Sequence, residues 1–230
     1  MKTYIFTLLL SLTALIFSTE STAQKKGSEG KIVYDVEITG IDEDNPAYAL
    51  MSDITMTVYY TKDFTRSDMD MGIQKTISVV DLKKEVSTTL IEAMGTKSKI
   101  VTDLNEIEET MDGDKVEEEI DIEYTNETKE IAGHTCKKAI ITTNGTTIVL
   151  WTSEELDFNK KGMSMSNFKG LKGVPLEYEI GEGIQAMKMT ATLVSVEKLD
   201  KSLFDVEKLA EGYSELTEEQ MEMYKKMSGQ

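Results

Sequence analysis

From residue 30 onward, apolar and polar positions alternate with a period of two along most of the chain. Strands that bury one face and wet the other have this pattern. Ile32, Tyr34, Val36 and Ile38 share one face of a first strand, opposite Asp35, Glu37 and Thr39. Ile54, Met56, Val58 and Tyr60 repeat it, and Leu176, Tyr178 and Ile180 repeat it opposite Glu177 and Glu179. Met187, Met189, Ala191 and Leu193 form one face of a longer strand whose other face carries Lys188, Thr190 and Thr192. Shorter strands are expected near 64–71, 75–81, 86–92 and 97–103. Half-polar strands of this kind belong in an antiparallel sheet.

The segment Lys138 to Trp151 reads as a hairpin, because Asn144-Gly145 supplies two residues suited to the positive φ of a type I′ turn. Its strands are apolar on both faces, which predicts a central position covered from both sides. Near the C-terminus the period changes. Thr217 with Gln220 fits a capping box, Leu216 with Met221 fits a hydrophobic staple, and Met221, Tyr224 and Met227 make a narrow stripe. A helix is therefore expected near 217–227, too short to persist without docking. The expected fold is mainly β (α+β): one antiparallel domain over 24–230 with short helices.

Residues 1–23 read as an export signal and stand outside that fold. Lys2 is followed by an apolar run from Tyr4 to Phe17, and Ser21-Thr22-Ala23 places small residues before Gln24. The run is shorter than the roughly 20 residues that span a bilayer. No cysteine follows the expected cut, so no lipid-anchoring site is expected there, and no later segment is expected to cross a membrane. The expected localisation is periplasmic or secreted.

Charge narrows the partners. The chain of 230 residues carries 42 acidic and 25 basic side chains, a formal net charge of −17. Nucleic acid and anionic lipid surfaces are disfavoured, since both need clustered Lys and Arg. One cysteine excludes a disulfide scaffold, and one histidine leaves little for a His-based metal site.

The remaining chemistry is sparse. Twelve acidic residues crowd between Asp103 and Glu127, but Glu117 stands where a calcium loop opening at Asp112 needs glycine, so a solvated acidic loop is expected. His134 and Cys136 lie two apart on a strand, which brings a thiol near an imidazole, yet no third group to orient the histidine is identifiable. A buried packing role is the simpler reading. Methionines recur as Met69/Met71, Met163/Met165, Met187/Met189 and Met221/Met223. Paired thioethers suit copper(I), an adaptable apolar cavity, or core filling. Phosphate loops, G-x-S-x-G elbows and H-E-x-x-H helices do not occur.

The segment Thr128-Lys-Glu-Ile-Ala-Gly-His-Thr-Cys-Lys-Lys-Ala139 resembles the signature of exported bacterial proteins of the domain of unknown function 4412 family. Val149-Leu-Trp-Thr152, Gly173-Val-Pro-Leu-Glu-Tyr178, and Ser202-Leu-Phe-Asp-Val206 followed by Gly212-Tyr213 resemble its later motifs, with a weaker match at Val79-Val-Asp-Leu82. His134 stands where an aromatic is usual, and Leu209-Ala-Glu211 replaces a proline-containing link. The resemblance implies a LolA/LppX-like fold: an antiparallel sheet curved into a half-barrel, closed by helices, with acyl chains on the concave face. It carries no catalytic residues. The resulting expectation is a non-enzymatic exported binding protein without a cofactor, holding lipid, a lipidated partner or another apolar ligand. Its candidate lining is Met69, Met71, Trp151, Tyr178, Met187 and Met189. A structural or interaction module is the alternative, and a copper(I) buffer the third.

Overall fold

The computed structural model describes residues 29–41, 44, 48, 54–105, 121–143, 146–156, 170–181, 186–217 and 220–221. The strands are β1 (Gly30–Ile38), β2 (Ile54–Tyr60), β3 (Phe64–Asp70), β4 (Gln74–Asp81), β5 (Val86–Ala93), β6 (Thr96–Asp103), β7 (Asp121–Ile131), β8 (His134–Thr143), β9 (Thr146–Ser153), β10 (Val174–Ile180), β11 (Met187–Ser195) and β12 (Ser214–Glu215). A 3-10 turn (Lys201–Phe204) and one helical turn, α1 (Val206–Leu209), lie between β11 and β12.

All twelve strands join one sheet in the order β12-β6-β5-β4-β3-β2-β1-β11-β10-β9-β8-β7. Neighbours run antiparallel apart from the short parallel pair of β12 with β6. Strands β2 to β6 form a meander, whose tight turns include Met94-Gly95, both at positive φ as a type I′ turn requires. The pairing of β1 with β11 joins this run to a second meander, β7 to β11, with Val36 opposite Met189 and Ile38 opposite Met187. The mainly β, antiparallel architecture follows the period-two pattern closely.

Cross-strand partners share a face, so the face holding Ile32, Tyr34, Val36 and Ile38 can be followed through the whole sheet; it is called the inner face here. Over β1, β2 and β8 to β11 its residues form one cluster with Ile54, Met56, Val58, Tyr60, Ala139, Ile141, Leu150, Tyr178, Met189 and Ala191, all buried. Tyr34 and Tyr178 meet edge to face at 5.9 Å, and the Tyr34 hydroxyl donates to the Pro175 carbonyl at 2.8 Å. Gly173, just before β10, sits at positive φ with the Ser153 backbone where a Cβ would be, which accounts for glycine opening that motif.

Two expectations need correction. The hairpin β8–β9 is not central: β8 is second from the β7 edge, and Val149 is 42% exposed. Its second apolar face is not fully covered: Val149 is exposed, and Ile140 and Trp151 are only half-buried. The acidic stretch is not all loop, since its last part is the edge strand β7, with Ile122 and Tyr124 half-buried between exposed Asp121 and Glu123. Acidic side chains on an edge discourage further strand pairing. Hairpin residues 144–145 and most of the 217–227 segment lie outside the described residues. At its start the capping box is formed: the Thr217 N–H donates to Gln220 Oε1 at 2.9 Å, and the Gln220 N–H to Thr217 Oγ1 at 3.3 Å.

Candidate functional site

The inner face changes character at β3. Three register rows cross it: Tyr60-Thr65-Val80-Ser87-Thr102, Val58-Ser67-Ser78-Thr89-Ile100, and Met56-Met69-Thr76-Ile91-Ser98. From β3 to β6 these rows hold hydroxyls, aliphatics and one thioether, and no charged side chain. Ser67, Met69, Thr76, Ser78, Thr89 and Ile91 keep part of their surface in solvent, whereas Thr65 and Val80 in the first row and Ile100 at the β6 end of the second are buried. Thr65 Oγ1 has no hydrogen-bond partner among the described residues. Thr89 donates to Ser78 across the ladder at 3.4 Å, a long and weak bond.

The outer face of the same strands differs in both respects. It carries Arg66, Asp68, Asp70, Lys75, Glu92, Lys97 and Lys99, and it is covered away from the hairpin tips, while Asp70, Lys75, Glu92 and Lys97 near those tips stay largely in solvent. Residues 196–213 run from β11 to the β6 edge across it. Phe204 stacks on Phe64 at 5.4 Å, over buried Val79 and Leu90. Arg66 grips Asp68 through two bonds of 2.6 and 2.7 Å and donates to the Leu203 carbonyl at 2.7 Å. Lys97 lies 5.3 Å over the Tyr213 ring, and Lys99 pairs with Glu215 at 3.0 Å. Asp200 and Asp205 accept from Ser202 and Lys208 N–H groups, shaping the turns. The motif Ser202 to Tyr213 is thus a strap over part of one face of β3–β6. Its 3-10 turn meets β3 on the outer face, through Leu203 and Phe204. The inner face of β3–β6 is the candidate site.

The candidate lining residues divide between three settings. Tyr178 and Met189 are opposite each other on β10 and β11, each 1% exposed, so they fill the core rather than line a space. Met187 is half-buried against that core beside Ile180. Met69 and Met71 pack against the core from β3 and its turn, where the filled half meets the solvated rows. Trp151 alternates with Leu150, and its partners are Lys138 and Glu177, which puts it on the outer face. There Lys129 Nζ lies 4.3 Å over the indole and 2.7 Å from Glu177. The six residues therefore do not form one lining.

His134 has a partner that spacing alone did not identify: Nδ1 lies 2.9 Å from Glu155 Oε2. Cys136 is fully buried and its thiol donates to the His134 carbonyl at 3.6 Å. Burial, helped by the Glu130 carboxylate, pushes the thiol up to about 12. Full burial suits this thiol to packing. The same desolvation raises the Tyr34 and Tyr178 phenols.

Several comparisons bear on this arrangement. No curated protein sequence matches the chain. A crystal structure of PNGF-II is similar at 16% identity and a TM-score of 0.45, over 83% of this chain and 31% of that one. The chain therefore spans about a third of the length of that protein. The lipoprotein LppX of Mycobacterium tuberculosis is similar at 10% identity and a TM-score of 0.39, over 78% of this chain and 92% of that one. A β-barrel-like protein of domain of unknown function 1849 from Brucella abortus gives 10% and 0.36, over 75% and 99%. The domain that matches by sequence is not the family suggested by the segment around Cys136. The model for "N-glycanase peptide, N-terminal domain" matches residues 64–216, from the first strand of the charge-free face to just past β12. With well over half of its length matched, the chain belongs to that N-terminal domain family.

Proposed function

We propose that this is a non-enzymatic binding domain of an exported protein, and that its ligand lies on the inner face of β3–β6. The observation that carries the reading is the exclusion of charge. In a chain with a net charge of −17, a partly solvated four-stranded face bears hydroxyls, Met69 and Ile91 but no ionised group, while the opposite face of the same strands is dense in charge. A solvated sheet face ordinarily carries charged side chains. An uncharged amphiphile fits it: lipid, or the acyl chain of a lipidated partner, lies along the aliphatic and thioether positions while its polar part meets Ser and Thr hydroxyls. This moves the expected cavity away from Tyr178 and Met189, whose half is filled.

A second reading, an interaction module that docks on another protein, draws on the rim. Ile73 and Met94 are 56% and 94% exposed at adjacent hairpin tips above the same strands, where an apolar partner surface would meet them.

Native mass spectrometry of the protein recovered from its exporting cell separates these readings. A bound mass that Ser78→Trp removes, without unfolding, supports the ligand face. A ligand-free spectrum together with no uptake of fatty acid or phospholipid would sink it and leave the docking module.

A further inference from the structure

A second site lies on the other side of the molecule, at the irregular part of the edge strand. The register of β7 with β8 jumps from Tyr124 opposite Ala139 to Thr128 opposite Lys137. Three residues of β7 therefore face one residue of β8, and the strand bows out. The bow, with the segment after β9 and the approach to β10, encloses a groove of about 270 Å³ whose walls include Tyr124, Asn126, Thr128, Lys137, Glu154 and Lys172.

What distinguishes this groove is its surplus of donors. Lys129 and Lys138, close by, are neutralised by Glu177 and Glu127 at 2.7 and 2.8 Å. Among the described residues, Lys137 has a carboxylate only at 3.8 Å, from Glu154, with both side chains 55% exposed. Lys172 has no carboxylate partner among the described residues, and its ammonium rests 5.4 Å from the Tyr124 ring centre. The Tyr124 hydroxyl accepts the Lys172 N–H at 2.7 Å, so its own proton remains to be donated outward. Asn126 and Thr128 have no side-chain hydrogen bond among the described residues. Two ammoniums, a phenol, an amide and a hydroxyl thus converge on one space against a single carboxylate. In so acidic a chain a locally positive concavity stands out, and charge-assisted bonds from ammonium to oxyanion are the strong kind.

We propose that this groove binds a small organic oxyanion, a carboxylate or phosphate carried on a hydroxylated body about the size of one sugar ring. The ammoniums of Lys137 and Lys172 hold the anionic group, and Tyr124, Asn126 and Thr128 address the hydroxyls. The ligand face on β3–β6 plays no part in it.

Calorimetric titration of the full chain with glucuronate, glucose 6-phosphate and glucose tests the assignment. Glucuronate, glucose 6-phosphate or both bind, glucose does not, and whichever anion binds names the group recognised. Lys137→Ala and Lys172→Ala each weaken that binding about tenfold or more. Glu154→Gln tightens it about threefold by removing the competing carboxylate, a result that a merely structural role would not give. Failure of both anions to bind, equal binding of glucose, or affinity indifferent to the two lysine changes would overturn the proposal. All three positions are solvent-exposed, so circular dichroism of each variant is expected to match the parent.

Discussion

The half of the sheet built from β1, β2 and β8 to β11 and the wing built from β3 to β6 use the same kind of strand to opposite ends. In the first, inner positions are large and meet one another: Tyr34, Tyr178, Leu150 and Met189 are each at most 1% exposed. In the wing, the continuation of that face is built from Ser67, Ser78 and Thr89, and the large residues Phe64, Arg66, Leu90 and Phe204 serve the other side. One face is filled by the chain's own side chains; the other is kept low, neutral and partly wet. Covering part of one side of a sheet with a strap while leaving the other side uncharged suits a surface meant for a ligand more than a second core.

The comparison breaks most severely in the filled half. Tyr178→Ala removes a fully buried ring and should cost about 3–5 kcal/mol in urea unfolding, with Met189→Ala at about 2–5 kcal/mol. If either proved nearly neutral, that half would not be filled. Removing the strap's anchor by Phe204→Ala should cost about 3 kcal/mol, with hydrogen-exchange protection lost in β3 to β5 and retained in β9 to β11. Uniform loss of protection would mean that the two halves are one cooperative unit.

Alkaline pH gives a third and gentler contrast. The Cys136 thiol is raised from 9.0 to about 12 by burial, so the unfolded chain loses that proton first. Its contribution to stability is complete below pH 9 and is lost as pH rises toward 12. Tyr34 and Tyr178 act in the same sense. Cys136→Ala should flatten the early part of this fall. No change in the slope would place the thiol in contact with water. Smallest of all, Ser78→Ala and Thr89→Ala in the wing should shift stability by no more than about 0.5 kcal/mol, and a larger loss would reveal a hidden hydroxyl network.

How much of this could be read from the chain depends on whether a strand's signal is local. Ile32 to Ile38 and Met187 to Ala191 announce themselves by strict alternation, and the antiparallel class follows, but Leu193 does not keep that face: the register shifts before it, and it pairs with Val33 and is 47% exposed. The capping box of Thr217 and Gln220 is equally local. The edge strand β7 was obscured by its own acidic residues, which protect an edge and look like a loop. Side-chain facing was the weaker inference, since Trp151 sits on the outer face because of its register with Glu177, a long-range fact. The wing face had a signal that alternation of apolar residues does not capture. Ser67, Ser78 and Thr89 recur every eleven residues, because each hairpin repeats the same strand and turn length and so returns a hydroxyl to the same row. Glu155 beside His134 is separated from it by 21 residues, and only the pairing of β8 with β9 brings them together.

The location of the ligand is tested most directly by photolabelling the purified full chain with a diazirine-bearing fatty acid and mapping the adducts by peptide mass spectrometry. Adducts are expected within 64–102, at Met69, Thr76, Ser78, Thr89 or Ile91, and absent in Ser78→Trp. Adducts concentrated instead at Tyr178, Met187 and Met189, or labelling that Ser78→Trp leaves unchanged, would contradict a ligand face on β3–β6.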